Sequence, residues 1–159
     1  MLRRILAEAS GFGLETVEVD AGRPWGAFVR FSETSLAAFL SAYWETVDLP
    51  PTRGRRDPKI LLMAPGEKLS LQYHNRRDEW WRVLEGPVAV SLGEDPTRLS
   101  EHVLPPGAVI HLPRAALHRA GSVGQSWGRI AEIWEHVVTG APSDEDDIVR
   151  VQDDYGRRP

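Results

Sequence analysis

The sequence predicts an all-β fold, either a sandwich or a barrel. Short stretches with alternating or wholly apolar residues recur along the chain, and turn-forming residues such as glycine and proline separate them. Many short strands with turns at regular spacing are typical of these two architectures. The predicted strands are residues 16–19, 25–29, 60–64, 71–74, 79–83, 88–92, 101–104, 109–112 and 129–135.

Two stretches have helical periodicity instead. Residues 2–9 place their apolar side chains on one side, and the glycines at 11 and 13 end this short N-terminal helix. Residues 32–46 give the clearest helix, with Ser32 as a cap, because apolar residues recur at helical spacing along one face. This stripe must be buried, so we expect the helix to be structural and to form part of a lid or of a dimer contact. It consists of Leu36, Phe39, Leu40, Tyr43 and Trp44.

Length and composition indicate one domain that spans residues 1–159. The 159 residues are 42% hydrophobic and include six tryptophans, which is enough for a real core. No apolar run is long enough to cross a bilayer, and arginines and a glutamate interrupt the apolar character of residues 1–9, which therefore do not resemble a signal peptide. We expect a cytoplasmic protein with no membrane partner.

Charge and cysteine content exclude several kinds of site. The net charge is −4 with both signs interspersed, which gives no reason to expect a nucleic-acid partner. The chain has no cysteine, so disulfides and thiolate metal ligands are excluded. A phosphate-bearing small molecule would need a local cluster of basic side chains.

The most informative stretch is residues 65–81. On a strand, alternate side chains share a face, so Gln72 and His74 point the same way. Residues 75–78 form a polar connection, and Glu79 begins a second strand pattern. A hairpin of this kind would bring Gln72, His74 and Glu79 to one point, which is the geometry that a metal ion needs.

A fourth ligand is available in residues 107–118, where an apolar strand runs into a proline-containing turn and His118 follows. Two histidines, a glutamate and a glutamine oxygen suit Zn, Mn, Fe, Co or Ni. Spacing alone supports equally well the alternative that His74 and His118 are ordinary half-buried histidines.

These two stretches resemble the two cupin motifs. The first motif runs from Gly66 through Gln72, His74 and Glu79 to Gly86, with the glutamine where most cupins have a histidine. The second runs from residue 107 through Pro113 to His118, with an alanine at 115 in place of the motif's glycine. The resemblance implies a cupin-type double-stranded β-helix, that is, a jelly-roll barrel.

A narrower resemblance is to the cupin domain of type II phosphomannose isomerases, the domain often fused to mannose-1-phosphate guanylyltransferase. It covers residues 23–157 in order, and it implies an N-terminal extension of about residues 1–15, an inserted helix at about 32–46 and a C-terminal tail of about 140–159 that folds back over the barrel. No nucleotidyltransferase region is present in the sequence, so we do not expect that activity. The matching positions are residues 23–26, 69–72, 74, 77, 79, 81, 145–150 and 154–157.

The resemblance implies a metal-dependent aldose–ketose isomerase acting on mannose 6-phosphate and fructose 6-phosphate. One divalent ion (Zn, Mn, Co, Ni or Fe) would stabilise charge on the carbonyl oxygen while a base moves a proton between adjacent carbons. The base is left open among Glu132, which matches a family glutamate, Asp78, a metal-bound hydroxide or none of these. The implied metal ligands are Gln72, His74, Glu79 and His118.

Three cationic side chains are expected to serve the substrate. Arg77 suits the phosphate best, because it lies in the ligand stretch, matches a family arginine and carries a guanidinium that binds phosphate bidentately. Arg150 is a second phosphate ligand, and Lys59 completes the catalytic set of Arg77, Glu132 and Lys59. Cupins are often dimers, so a homodimer is expected by analogy.

Two other functions stay open at this point. The chain lacks histidines that the family commonly has, at Asn75, Arg76 and Trp80, and this favours a non-catalytic cupin that binds a sugar or a sugar phosphate. A site of two histidines and one carboxylate also suits Fe(II) oxygen chemistry in another kind of cupin enzyme. The residues Ala64 and Ala115 also depart from the family, which has a lysine and a glycine there.

Overall fold

Two antiparallel β-sheets lie face to face in the computed structural model, which describes residues 1–52 and 54–157. One sheet has six strands in the order β1-β2-β3-β10-β5-β8, and the other has five strands in the order β11-β4-β9-β6-β7. The six strands are β1 Thr16–Arg23, β2 Gly26–Phe31, β3 Arg56–Met63, β5 Arg77–Glu85, β8 Val109–Leu112 and β10 Gly128–His136. The five are β4 Leu71–His74, β6 Val88–Asp95, β7 Arg98–Leu104, β9 Leu117–Ser122 and β11 Ile148–Gln152. The jelly-roll prediction is confirmed.

Two helices cover the outer face of the six-stranded sheet. Helix α1 spans Leu2–Gly11, and helix α2 spans Leu36–Tyr43 after a 3-10 turn at Glu33–Ser35. As predicted, Ser32 caps this start, its side chain accepting from the N–H of Thr34. The α-helix is shorter than the predicted 32–46. The described part of the chain contains no helix long and apolar enough to cross a membrane.

Apolar side chains form two layers, one on each side of the six-stranded sheet. The outer layer contains Phe39, Tyr43 and Trp44 of the predicted helical stripe, together with Ile5 and Ala9 of α1. The stripe is therefore buried within its own chain, and this removes the argument that it forms a lid or a dimer contact. The inner layer fills the space between the two sheets and includes Trp25, Phe28, Trp81 and Val83, among others.

The connection between β4 and β5 is not the hairpin that the sequence suggested. Strand β4 pairs with β9 and β11, whereas β5 pairs with β10 and β8, so the chain crosses from one sheet to the other at Asn75 and Arg76. Their N–H groups both donate to the carboxylate of Asp147, at 3.1 and 3.0 Å. This charge-assisted pair of hydrogen bonds satisfies the corner's backbone and replaces the ladder that a hairpin would have.

The C-terminal tail folds back as predicted, because β11 pairs with β4 along the edge of the five-stranded sheet. Strand β3 begins at Arg56, earlier than expected, and includes Pro58 in the middle of a sheet. Strand β2 pairs with β3 only from Lys59 onward, so the missing N–H of Pro58 leaves no gap in a ladder on that side.

Candidate metal centre

Three of the predicted ligands lie together between the sheets. The ligand atoms of His74, Glu79 and His118 all lie within 4.8 Å of one another, and all three side chains are buried. Nε2 of His74 is 3.1 Å from Oε1 of Glu79, and Nε2 of His118 is 3.5 Å from Oε2 of the same carboxylate. One carboxylate thus lies between two imidazoles, each facing a different oxygen.

Strand geometry explains this convergence. His74 is the last residue of β4, and Gln72 of the same strand is the register partner of His118 on β9. Glu79 comes from the opposite sheet, where it points inward from β5. Its neighbour Asp78 therefore points outward, as alternation requires. The site is built across the two sheets rather than within one hairpin.

The hydrogen bonds of the imidazoles determine which nitrogen can bind a cation. Nδ1 of His118 lies 2.9 Å from the carbonyl oxygen of Ala116, and Nδ1 of His74 lies 3.4 Å from that of Asp147. Because a carbonyl oxygen only accepts, each Nδ1 carries a proton, and in the neutral ring each Nε2 then presents a lone pair. Burial also lowers the pKa of His74, despite the opposing charge of Glu79, which favours the neutral ring.

Two of the facing atoms have no hydrogen-bond partner. Nε2 of His118 and Oε2 of Glu79 are both buried and unpaired among the described residues. An imidazole lone pair facing a carboxylate oxygen is two acceptors without a donor, which a buried site does not tolerate without compensation. A cation bound by both atoms removes the conflict, and backbone acceptors on the far ring nitrogens are the usual support of metal-binding histidines. The residues therefore fit a divalent metal ion.

The predicted ligand Gln72 lies beside this cluster. Its Nε2 is 3.4 Å from Nε2 of His74, and its Oε1 accepts from the hydroxyl of Ser70 at 2.8 Å. Oxygen and nitrogen of an amide exchange places on a 180° flip, and a serine hydroxyl can accept as well as donate. The flipped amide keeps its bond to Ser70 and turns its oxygen toward the cluster, so Gln72 is placed to serve as the fourth ligand.

Arg77 lies deeper than a free phosphate ligand would. Its Nε donates to Oε1 of Glu79 at 2.8 Å, and Nη2 lies 3.1 Å from Nε2 of His74. Nη1 donates to Oγ of Ser143 at 2.7 Å and to the carbonyl of Asp144 at 3.0 Å. Its guanidinium also packs 3.8 Å above the ring of Trp134. With every nitrogen engaged, Arg77 is a fixed positive charge beside the ligand cluster.

Two buried carboxylates in the cavity have opposite pKa shifts. Burial alone would raise the pKa of Glu79, but the neighbouring His74 and the charge of Arg77 outweigh it and hold the pKa well below its usual value. For Glu132, burial and the negative charge of Glu79 raise the pKa to about 8, against the opposing charge of Lys59. At neutral pH the first carboxylate is ionised and the second readily holds a proton.

Glu132 faces the cavity, a point that strand alternation left open. Its Oε1 accepts from the indole N–H of Trp81 at 2.8 Å, while Oε2 is buried without a hydrogen-bond partner among the described residues. Nζ of Lys59 lies 3.8 Å from Oε2 of Glu132, and it also donates to Oε1 of Glu145 at 2.8 Å. Glu132 and Lys59 are therefore neighbours, as a shared catalytic role requires.

One cleft of about 430 Å³, its open mouth included, is lined by Lys59, Gln72, Arg77, Glu79 and Glu132. His74 and His118 contact Glu79 from behind this lining and are not themselves lining residues. The walls are apolar and aromatic, whereas the half-buried side chains around the mouth are largely basic. Burial and the charges of Arg157 and Arg23 lower the pKa of Arg150, whose Nε is buried without a hydrogen-bond partner. The lining residues used below are Arg23, Lys59, Gln72, Arg77, Glu79, Trp81, Glu132, Trp134, Glu145, Arg150 and Arg157.

Sequence reasoning missed three of the charged lining residues as site residues, namely Arg23, Glu145 and Arg157. Each lies in a segment that carries the family resemblance, so charged residues within those segments were the available signal. Asp78, one of the alternatives for the base, is excluded by its position. Its carboxylate accepts from the N–H of Arg114 at 2.9 Å and lies 3.1 Å from Nε2 of His111, both outside the cleft.

The loop before β9 contains one strained residue. Ala115, which replaces the glycine of the motif, has a φ of 65°, in the left-handed region that glycine adopts easily. Its N–H donates to the carbonyl of His74 at 2.7 Å, so this loop ties the two histidine-bearing strands together. The backbone thus adopts the same conformation that the motif's glycine would favour.

The chain matches a known protein family and is similar to known proteins. Residues 44–153 match the family model described as mannose-6-phosphate isomerase C-terminal. The chain is 32% identical over 126 residues to the alginate biosynthesis protein AlgA of Pseudomonas aeruginosa. This alignment covers 79% of the present chain and 24% of AlgA. The chain is 32% identical over 136 residues to the xanthan biosynthesis protein XanB of Xanthomonas campestris, covering 85% and 23%. It therefore spans about a quarter of the length of these curated relatives.

Solved structures with the same fold are more distant in sequence. An oxalate oxidase in complex with glycolate aligns with a TM-score of 0.57 at 18% identity, covering 83% of this chain and 58% of that chain. The capsular polysaccharide assembling protein CapF of Staphylococcus aureus aligns with a TM-score of 0.57 at 15% identity, covering 87% and 34%. At these identities the likeness concerns the fold alone.

Proposed function

Because the chain belongs to the mannose-6-phosphate isomerase C-terminal family, we propose that it is a metal-dependent isomerase that interconverts an aldose phosphate and a ketose phosphate. The pair that we propose is mannose 6-phosphate and fructose 6-phosphate. Relatives of this chain are named for alginate and xanthan biosynthesis and, in Escherichia coli, for mannose-1-phosphate guanylyltransfer. Since the chain spans only about a quarter of them, we assign it no guanylyltransferase activity.

The observation that carries the proposal is the unpaired contact between His118 Nε2 and Glu79 Oε2. Two buried acceptors facing each other call for a cation, and we propose that Gln72, His74, Glu79 and His118 hold it. The bound ion would act as a Lewis acid on the carbonyl oxygen of the open-chain sugar. A hard or borderline divalent metal suits this set of two nitrogens and two oxygens.

Glu132 is the group that we propose to move the proton between the two carbons. Its pKa of about 8 lets it both accept and release a proton near neutral pH, as a shuttle must. Trp81 fixes one oxygen of this carboxyl group, and the other is free of hydrogen bonds. Lys59, next to the free oxygen, favours the ionised form once the proton has left. The aromatic walls keep water away from the proton in transit.

Arg150 is the guanidinium that we propose for the substrate phosphate, with Arg157 and Arg23 beside it at the mouth. It has neither a hydrogen-bond nor an ion-pair partner among the described residues, whereas Arg77 is fully engaged below it. We keep Arg77 in the catalytic set as the charge that holds Glu79 ionised and in place. Phosphate binding by Arg77 requires it to give up one of its present contacts.

The departures from the family do not favour the binding-only alternative. Asn75 and Arg76 form the corner between the sheets, and Trp80 stacks on His111 with ring centroids 4.1 Å apart. None of these three side chains lines the cleft. Their replacement therefore leaves the proposed reaction site intact. The cytoplasmic location and the homodimer stay predictions.

Elemental analysis of the purified protein, combined with an isomerase assay, tests the proposal. We expect bound divalent metal and formation of fructose 6-phosphate from mannose 6-phosphate, which chelator and His74→Ala both abolish. His111→Ala is the matched control, since this histidine lies outside the cleft and should leave turnover unchanged. Bound metal without turnover on any hexose phosphate would instead support a binding module, and Fe(II)-dependent oxygen uptake would support an oxidase.

A further inference from the structure

One acidic side chain stands among the basic groups at the mouth of the cleft. Oε1 of Glu145 accepts from Nζ of Lys59 at 2.8 Å, and Oε2 lies 3.5 Å from Nη2 of Arg23. The residue lines the cleft, and its side chain is 28% exposed, so it borders both the interior and solvent. A carboxylate in this position satisfies cations that would otherwise be available to an anionic ligand.

We propose that Glu145 is an internal counter-ion which the phosphate of an incoming sugar phosphate has to displace, and that it thereby determines the charge selectivity of the cleft. The inference rests on the proposed function in so far as the ligand is a phosphate ester. In this proposal Glu145 contributes to the choice of ligand by charge and takes no part in the proton transfer.

The distribution of charge partners supports this role. Among the described residues, Arg157 pairs with Asp153, and Arg23 pairs with Asp20 as well as with Glu145. Lys59 contacts Glu145 more closely than it contacts Glu132. When Glu145 withdraws, Nζ of Lys59 and Nη2 of Arg23 lose their contact with it and become available beside Arg150, while Arg23 stays paired with Asp20 through Nε.

Charge selectivity follows from this competition. A phosphate monoester carries a charge of −1.5 to about −2 at neutral pH and three strong acceptor oxygens, whereas a carboxylate carries one charge. The dianion can replace Glu145 at Lys59 and Arg23 with a gain in Coulomb energy, but a neutral sugar offers no charge in exchange. A simple carboxylate carries the same charge as Glu145, so replacing Glu145 at these cations would bring it no net gain in Coulomb energy. Glu145 therefore admits phosphate esters in preference to neutral sugars and to sugar acids.

The backbone around Glu145 is anchored, so displacement needs only a rotation of its side chain. Ser143 and Asp144 are bound to Arg77, and Asp147 is bound to the corner residues Asn75 and Arg76. These contacts hold both ends of the short 3-10 helix Glu145–Asp147. The partly exposed Glu145 side chain can then move toward solvent without unfolding the segment.

Calorimetric titration with inorganic phosphate at low ionic strength tests the inference. We expect Glu145→Gln to bind phosphate about tenfold more tightly than the wild type, because a like charge next to the ligand is removed. The matched control is Asp146→Asn, which makes the same charge change in the same 3-10 helix on an exposed side chain outside the cleft. It should change the affinity less than about twofold.

Unchanged or weaker phosphate binding in Glu145→Gln would overturn the inference, because it would mean that Glu145 positions Lys59 instead of competing with the ligand. Absence of phosphate binding in every variant would overturn it too. If thermal unfolding shows that Glu145→Gln does not fold, Glu145→Asp replaces it. Its shorter side chain reaches the two cations less well, so tighter phosphate binding is again expected.

The isomerase assay separates this inference from the proposed function. Tighter phosphate binding by Glu145→Gln in a protein without turnover would support the inference and contradict the isomerase. Turnover of mannose 6-phosphate by the wild type, with phosphate affinity insensitive to Glu145→Gln, would leave the isomerase standing and overturn the inference.

Discussion

The two sheets that enclose the cleft differ in how much of them is buried and in the groups that they contribute. The central strand β10 of the six-stranded sheet is buried at all nine positions, because helices cover one face and the other sheet covers the second. Strand β7 of the five-stranded sheet, by contrast, is exposed at most positions. The six-stranded sheet supplies Glu79, Glu132 and Lys59, whereas the five-stranded sheet supplies the two histidines and Gln72.

This difference shows where the fold places charged and neutral ligands. Carboxylates on a sheet buried on both faces are strongly desolvated, so their pKa values respond to each neighbouring charge. The neutral candidate ligands lie on the more exposed sheet, where backbone carbonyls orient the two histidines and the hydroxyl of Ser70 orients Gln72. The proposed acid–base groups thus lie on one wall of the cleft, and the neutral candidate ligands come from the other sheet.

The largest effect is expected from Glu132→Gln, which removes the proposed acid–base group from the buried wall and keeps its shape. We expect the turnover number to fall roughly 100- to 10,000-fold, the usual contribution of such a group. Metal content should stay unchanged, because Glu132 is not among the three clustered ligands. Steady-state kinetics with elemental analysis measures both. Loss of metal in this variant would contradict the division of roles between the two carboxylates.

Glu79→Gln should weaken metal binding at the same wall. Removing the one carboxylate between two imidazoles should lower the affinity roughly 100-fold or more, since even loss of a supporting group outside the ligand set costs 10- to 100-fold. Titration with a divalent metal measures this. Glu94→Gln, an exposed glutamate on the five-stranded sheet, is the control and should bind metal like the wild type.

The pH dependence of unfolding distinguishes the two carboxylates when chelator is present. Glu132 has a raised folded-state pKa of about 8, so the folded state holds its proton more tightly and stability falls as the pH rises from 4.5 to about 8. Glu79 has a lowered pKa, so its contribution is lost as the pH falls below 4.5. For Glu132 the slope is at most about 1.4 kcal/mol per pH unit. Denaturant unfolding at several pH values should show this decline in the wild type and a smaller one in Glu132→Gln.

The smallest effect concerns the loop that carries His118 on the more exposed sheet. Ala115→Gly should raise the free energy of unfolding by about 0.5 to 1 kcal/mol, because glycine avoids the cost of a left-handed conformation but gains freedom in the unfolded chain. Ala116→Gly, at an ordinary φ, should lower it by a similar amount. Equal destabilisation by both substitutions would show that the strain at Ala115 has no energetic weight.

Sequence periodicity was enough for nine of the eleven strands in the described residues and for the apolar stripe of α2, because burial of one face imposes a repeat that can be read directly. Strands β9 and β11 were not predicted. The clustering of the candidate ligands His74, Glu79 and His118 was predicted from their motif spacing, although the hairpin interpretation was wrong. Long-range contacts were not readable in this way. The bond from Asp147 to the corner and the capture of Arg77 by Ser143 join residues more than 60 positions apart.

The direction in which the Glu132 side chain points could not be predicted from the sequence either. Strand β10 is buried on both faces, so no alternation of apolar and polar residues marks its inner side. The positions of Arg23 and Glu145 in the cleft could not be predicted either, because these residues come from opposite ends of the chain and meet only in the folded protein.

The position of β11 has a dynamic consequence. It forms the outermost strand of its sheet and pairs with β4 alone, so its amide hydrogens should exchange with solvent sooner than those of the enclosed strand β10. A local opening there would carry Arg150 outward and loosen the support of His74 by Asp147, while Glu79 and Glu132 stayed in place. Local opening of this edge strand would therefore widen the cleft from the side of β11 without moving Glu79 and Glu132.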